Sequence, residues 1–312
     1  MPRLLAIVEY DGTDFEGFQV QHRARRAGAP AAPGSATVVE APAAAAPGQS
    51  APPRTVQREL ERALAALAGA PVRVVPSGRT DSGVHAAGQA VHFDLEIALV
   101  HDLMRLQRAL NAHLPGDVAI RGLRVVPPTF HARFSAISRT YCYRILNGEA
   151  PSPLARRYTY HVRTPLSIPR MAEGAAYLVG SHDFVAFAAQ QGGGSTRREV
   201  LRAVVTEQWA NPAAIWQTDT VSSCARRQGQ QVDTALSEPA GARLVAIEVE
   251  ANAFLRHMMR RIAGTLIRVG EGLLEPEAVA AILRAKDKAL AGPTAPARGL
   301  CLERVTYRFG DD

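Results

Sequence analysis

Cysteine is scarce in this sequence. Among 312 residues there are three, Cys142, Cys224 and Cys301. The number is odd, the spacings are wide and no C-x-x-C pair occurs, which argues against a disulfide framework and against a cysteine-based zinc site. Such usage fits a reducing cytoplasm. Long apolar runs are missing as well. No stretch approaches the ~18 residues that a membrane span needs, and Met1–Ile7 lacks the apolar run and cleavage site of a signal peptide. A cytoplasmic protein with no membrane contact is the expectation. Also absent are G-x-S-x-G, H-E-x-x-H and the dinucleotide fingerprint G-x-G-x-x-G, so nothing points to an α/β-hydrolase, a zinc peptidase or a nicotinamide enzyme.

The composition is otherwise that of an ordinary globular protein, 47% hydrophobic and 21% charged. What stands out is a formal net charge of +7, which fits a polyanionic partner such as nucleic acid. Two segments are set apart by composition. In Ala24–Arg54, 21 of 31 residues are Ala, Pro or Gly. Its prolines break helix and strand alike, and alanine buries little area, so it reads as a surface insertion. Residues 210–240 are polar, lie between two strand-like runs and read as an enlarged hairpin loop.

With the insertions set aside, two halves emerge. Residues 1–135 predict strand Leu4–Tyr10, helix Thr55–Ala68 capped by Thr55 and ended by Gly69, strands Val72–Val75 and Gln89–Leu95, helix Leu99–Asn111 and strand Val118–Val126. Residues 136–312 predict strand Thr140–Leu146, helix Ile168–Val179, strands Val200–Trp209 and Arg243–Glu250, helices Ala253–Val269 and Glu277–Leu283, and strand Glu303–Phe309. The order β-α-β-β-α-β is that of the ferredoxin-like split motif. An α+β fold is expected, with two such halves whose antiparallel sheets flank a central cleft.

Four groups of residues could carry chemistry. The most informative is Ser77-Gly78-Arg79-Thr80-Asp81-Ser82-Gly83-Val84-His85-Ala86, a Gly-flanked loop between two strands. A carboxylate beside a fixed positive charge stays ionised at neutral pH. Asp81 is then a base, a metal ligand or a nucleophile, unless Arg79 and Asp81 simply form an ion pair that orders the turn. The metal reading would add His85 and His92, but the three have no matched ligand spacing. The second group is Arg139, Tyr141 and Tyr143, which alternate onto one strand face and could stack nucleobases or line an aromatic core. The third is the helix carrying Arg256 and Arg260 on one flank of its apolar stripe. The fourth, Gln190–Arg198, joins three glycines to Ser195, Thr196 and two arginines. It could approach phosphates, although it is not a Walker loop.

Five blocks together resemble the bacterial tRNA pseudouridine synthase A family. They are Tyr10-Asp11-Gly12-Thr13 with Gly17-Phe18-Gln19; Thr55-Val56-Gln57 with Leu60-Glu61; Gly78–Asp81 through His85; Phe130-His131-Ala132-Arg133-Phe134-Ser135-Ala136 leading to Tyr141; and Ala251–Phe254 through Met258-Met259-Arg260. Gly299-Leu300 follows. The resemblance covers nearly the whole chain outside the insertions. It implies an isomerase that converts uridine to pseudouridine at positions 38 to 40 of the tRNA anticodon arm, a homodimer with basic clefts for tRNA, and neither cofactor nor metal. Carried over residue by residue, it implies Asp81 as nucleophile, Tyr141 as the residue stacking on the target base, Arg79 and Arg260 as cleft arginines, and Leu300 as an apolar wall. The chain departs from the family pattern at Phe18, Thr140 and Cys301, and by the 24–54 insertion.

Overall fold

The computed structural model describes residues 1–19, 53–96, 100–189, 194–209 and 242–309. The Ala24–Arg54 insertion lies outside these except for Pro53 and Arg54, and residues 210–240 lie outside them entirely. The described residues form an α+β fold with ten strands and five α-helices.

Local sequence accounts for most elements. Strand β1 (Arg3–Tyr10) buries Leu4, Leu5 and Ala6 and alternates from Ala6 on, with Val8 and Tyr10 buried and Ile7 and Glu9 less so. Helix α1 (Val56–Ala68) starts where the Thr55 hydroxyl accepts from the Arg58 N–H, and ends at Gly69 in the left-handed conformation. It buries Val56, Leu60, Ala63 and Leu64, one stripe at helical spacing. Strand β2 is only Val75–Pro76, shorter than the predicted Val72–Val75 and shifted toward Pro76, which has no N–H to continue a ladder. Strand β3 (His85–Asp94) starts earlier than expected, so His85 and Ala86 of the loop motif are already strand. Helix α2 (Leu103–His113) starts later, because the Asp102 carboxylate caps it at the Arg105 N–H. The predicted start, Leu99, lies outside the described residues.

Next come β4 (Val118–Val126), β5 (Ala136–Asn147), β6 (Tyr160–Val162), α3 (Ile168–Ala176), β7 (Gly180–Asp183), β8 (Arg197–Trp209) and β9 (Arg243–Ala251). Helix α4 (Met258–Gly270), α5 (Ala278–Ala285) and β10 (Leu300–Tyr307) complete the fold. Helix α1 packs on α2, and α3 packs on α4, α5 and β8.

The expectation of two separate antiparallel sheets is corrected. There is one mixed sheet in the order β4-β1-β3-β10-β5-β9-β8-β7, with β2 added on β3 and β6 on β5. The last strand joins the halves: β10 runs antiparallel to β5, while Cys301 and Leu302 pair in parallel with His85 and Ala86 of β3. Each half would otherwise present an open strand edge there, and pairing the two edges satisfies both. The seam brings Leu300, the first residue of β10, beside the end of the Asp81 loop.

Candidate active site

Asp81 is held by a loop with little freedom. On one side the Ser77 hydroxyl donates to Gln89 Oε1 (2.7 Å), the Gln89 amide donates to the Gly78 carbonyl (3.1 Å), and the buried Thr80 hydroxyl meets the Tyr10 hydroxyl (2.8 Å). On the other side the segment before the first insertion wraps beneath it. The Phe18 N–H donates to the Thr80 carbonyl, the Ser82 hydroxyl to the Phe15 carbonyl, and the Gly83 N–H to the same Phe15 carbonyl. Gly17 has φ +96° and a Cβ there would lie 2.8 Å from the Thr80 oxygen, so only glycine lets the two segments touch. Gly83, at φ +76°, turns the chain from the loop into β3.

The positive partners of Asp81 come from the far half. Arg256 Nε, His257 Nε2 and Arg260 Nη1 lie 3.9, 3.5 and 3.7 Å from its carboxylate oxygens. All three sit at the N-terminal end of α4, where exposed N–H groups also favour an anion, by about 0.3–1 kcal/mol. Arg260 is well fixed, since its Nε donates to the Ala295 carbonyl at 2.7 Å while Ala295 N–H donates back to the Arg260 carbonyl. The predicted helix start at Ala253 is corrected to Met258. Residues 253–255 carry no regular structure, and 256–257 form a turn that ends with His257 at φ 63°, ψ 0°. That left-handed conformation is uncommon for a non-glycine residue and costs ~1–3 kcal/mol. The chain reversal lets Phe254 reach Tyr141, ring centroids 4.8 Å apart and edge to face.

Arg79 does not pair with Asp81. It is exposed, and its Nε donates to Gln19 Oε1, so the reading of a local Arg79–Asp81 ion pair is replaced by pairing across the two halves. Arg139, from the same strand as Tyr141, donates to the carbonyls of Asn252, Ser77 and Arg133. It thereby ties the Asp81 loop to β5 and to the segment before α4. Burial lowers its basicity.

These elements enclose a cleft of about 790 Å³. Asp81, Arg79, Tyr141, Arg260 and Leu300, predicted from four separate parts of the sequence, all line it. Tyr141 and Leu300 are nearly buried, at 9% and 5% exposure, and form an apolar floor. Burial pushes the Tyr141 hydroxyl well above its usual range, so it stays a neutral phenol. Six arginines (Arg79, Arg133, Arg139, Arg198, Arg256 and Arg260) line the cleft against two carboxylates, Glu16 and Asp81. This is the electrostatics of a polyanion site with one acid at its centre. Phe134, 76% exposed, stands among the lining residues beside Arg133 and His131.

Other expectations resolve differently. Tyr143 is fully buried, with its hydroxyl on the Pro296 carbonyl, and belongs to the core rather than to a stacking row. His85 and His92 are turned to the backbone. The Gly12 N–H and the Arg157 carbonyl engage the two ring nitrogens of His85, and the Ala132 N–H donates to His92 Nδ1. The three residues of the metal reading are thus not brought together. In the glycine-rich loop, residues 190–193 lie outside the described residues, while Arg198 lines the cleft with Nε buried and unpaired among the described residues. His257 had no sequence signal, since it lies next to a helical stripe whose spacing Leu255 extends without a break.

The family described as tRNA pseudouridine synthase matches residues 175–308. The chain is 38% identical to tRNA pseudouridine synthase A of Moorella thermoacetica, over 98% of this chain and 100% of that protein. It is 38% identical to the protein of the same name from Methylococcus capsulatus (98% and 89%) and 35% identical to that from Bacillus subtilis (98% and 99%).

Proposed function

The chain belongs to the tRNA pseudouridine synthase A family, and from that premise we propose that it isomerises uridine to pseudouridine at positions 38, 39 and 40 of the tRNA anticodon stem-loop, with Asp81 as nucleophile. The observation that carries this is a central carboxylate with three basic side chains around it, above a floor of Tyr141 and Leu300, in a cleft that also carries Arg79, Arg133, Arg139 and Arg198.

The reaction breaks the bond from ribose C1′ to uracil N1 and forms one from C1′ to C5. The proton on C5 leaves and N1 gains one, so atoms balance with no co-substrate. An ionised carboxylate can begin this by attack on C1′, by addition to the ring, or by removing a ribose proton. Each route needs Asp81 within bonding distance of a uridine taken out of its stack. Tyr141 offers the stacking face for that base and Leu300 the apolar wall. Arg260 holds Asp81 from the far half, and Arg79, exposed at the cleft, is placed for the RNA backbone. Arg198, which lines the cleft, is a second phosphate contact in this reading. The matching strand orders β4-β1-β3 and β10-β5-β9 support reading residues 1–135 and 136–312 as two ferredoxin-like halves.

The reading extends to a cytoplasmic homodimer that acts without metal or cofactor. Purified protein incubated with a uridine-labelled tRNA transcript, with and without chelator, should yield pseudouridine at positions 38 to 40 in both cases. Light scattering should give twice the monomer mass. Absence of pseudouridine from the wild-type reaction refutes the assignment.

A further inference from the structure

We propose that His257 is a positioning residue, whose neutral imidazole donates from Nε2 to Asp81 Oδ2 and fixes the direction in which the carboxylate faces the substrate. The inference rests on the functional reading above and deepens it.

Three observations point to it. His257 Nε2 is the nearest of the three basic nitrogens to Asp81, at 3.5 Å against 3.7 and 3.9 Å for the arginines. It approaches Oδ2, the oxygen that also faces Arg260, whereas Arg256 approaches Oδ1. The backbone of His257 is left-handed, and such strain persists only where the surroundings hold it. Here the surroundings are visible. The His257 carbonyl accepts from the Arg261 N–H, Met258 N–H donates to the Leu255 carbonyl, and Ala189 N–H donates to the Arg256 carbonyl. The turn is therefore fixed on both sides of the residue that reaches Asp81.

The charge on the ring follows from what faces it. Burial is the largest influence and lowers its pKa. Asp81 raises it, and Arg260, Arg256 and Arg261 lower it further. A neutral imidazole still has one N–H to give. It adds direction without adding another cation to a carboxylate that must react. A separation of 3.5 Å is long for a hydrogen bond, and contacts of this kind shorten when substrate closes the site.

Two variants separate the donor from the turn. Glycine takes the left-handed conformation freely and offers no side-chain donor; glutamine keeps an amide N–H donor at the reach of Nε2. The proposal expects the single-turnover rate of pseudouridine formation to fall at least about tenfold in His257→Gly, equivalent to 1.36 kcal/mol of barrier. Affinity for tRNA should be unchanged, and His257→Gln should recover most of the rate. A wild-type rate in His257→Gly overturns it, because the residue then serves the turn alone. A Gln variant as slow as the Gly variant also overturns it.

A second readout does not need activity. The proposal expects the imidazole titration of His257, followed by NMR, to move to lower pH in Asp81→Asn, because the carboxylate charge that raises it is gone. No movement refutes the contact. If the wild type makes no pseudouridine, the functional reading fails, and the titration still decides whether His257 and Asp81 are paired.

Discussion

At the scale of single residues, the cleft divides the work between apolar and charged groups. Tyr141 presents an aromatic face on a nearly buried floor, and base–aromatic stacking is worth ~1–3 kcal/mol. Tyr141→Ala should therefore lower turnover at least tenfold. Tyr141→Phe keeps the ring and should keep most of the rate, which single-turnover assays can resolve. Phe134 is the opposite case, an exposed ring beside two basic residues. Much of this was legible in the sequence. Asp81, Arg79, Tyr141, Arg260 and Leu300 were picked out by the blocks that carry them, and all five meet in one cleft. Their pairings were not legible. Arg79 and Asp81 are two apart in sequence, yet Arg79 is taken by Gln19 and Asp81 by residues about 175 positions away. His257 gave no signal, because one left-handed backbone angle leaves no mark on hydrophobic spacing.

At the scale of elements, local chemistry set the boundaries wherever a cap or a breaker was present. Thr55 and Gly69 bound α1 as expected. Where tertiary contact decided, the sequence misled. Leu255, Met258 and Met259 are all buried and keep helical spacing, but only the last two are helical. The loop carrying Asp81 depends on Gly17 in the same way. Gly17→Ala must strain a backbone at φ +96° and push Cβ against the Thr80 carbonyl. It should lower activity more than thermal stability, since the displaced contact lies one residue from Asp81. Comparing kcat and Tm of this variant with those of Leu64→Ala tests the point. Leu64 is buried in α1, away from the cleft lining, and its truncation should cost about 2–5 kcal/mol of stability with little change in kcat.

At the scale of the molecule, two bulk properties have measurable consequences. The first is pH. Burial lowers the pKa of His92 from 6.5 to about 4. Between those values the unfolded chain binds a proton that the folded one refuses, so this contribution is complete above pH 6.5 and is lost as pH falls toward 4. His92→Asn, which keeps an acceptor for the Ala132 N–H, should flatten the fall in stability across that window when urea midpoints are measured against pH. The second is charge. A +7 chain with six cleft arginines should bind tRNA with a steep salt dependence. Arg198→Ala should reduce the slope of log affinity against log salt by about one. An unchanged slope would remove Arg198 from the RNA contacts. The joining of the halves by β10 belongs to this scale too. The sequence order showed two similar halves, but no local pattern revealed that the last strand would lie between β3 and β5 and place Asp81 against α4.

The account stands on Asp81, and one measurement reaches it most directly. Asp81→Asn keeps the size of the side chain and removes its charge. With labelled tRNA under single-turnover conditions, it should bind with near wild-type affinity and form no detectable pseudouridine. Pseudouridine formation at the wild-type rate by Asp81→Asn would contradict the account.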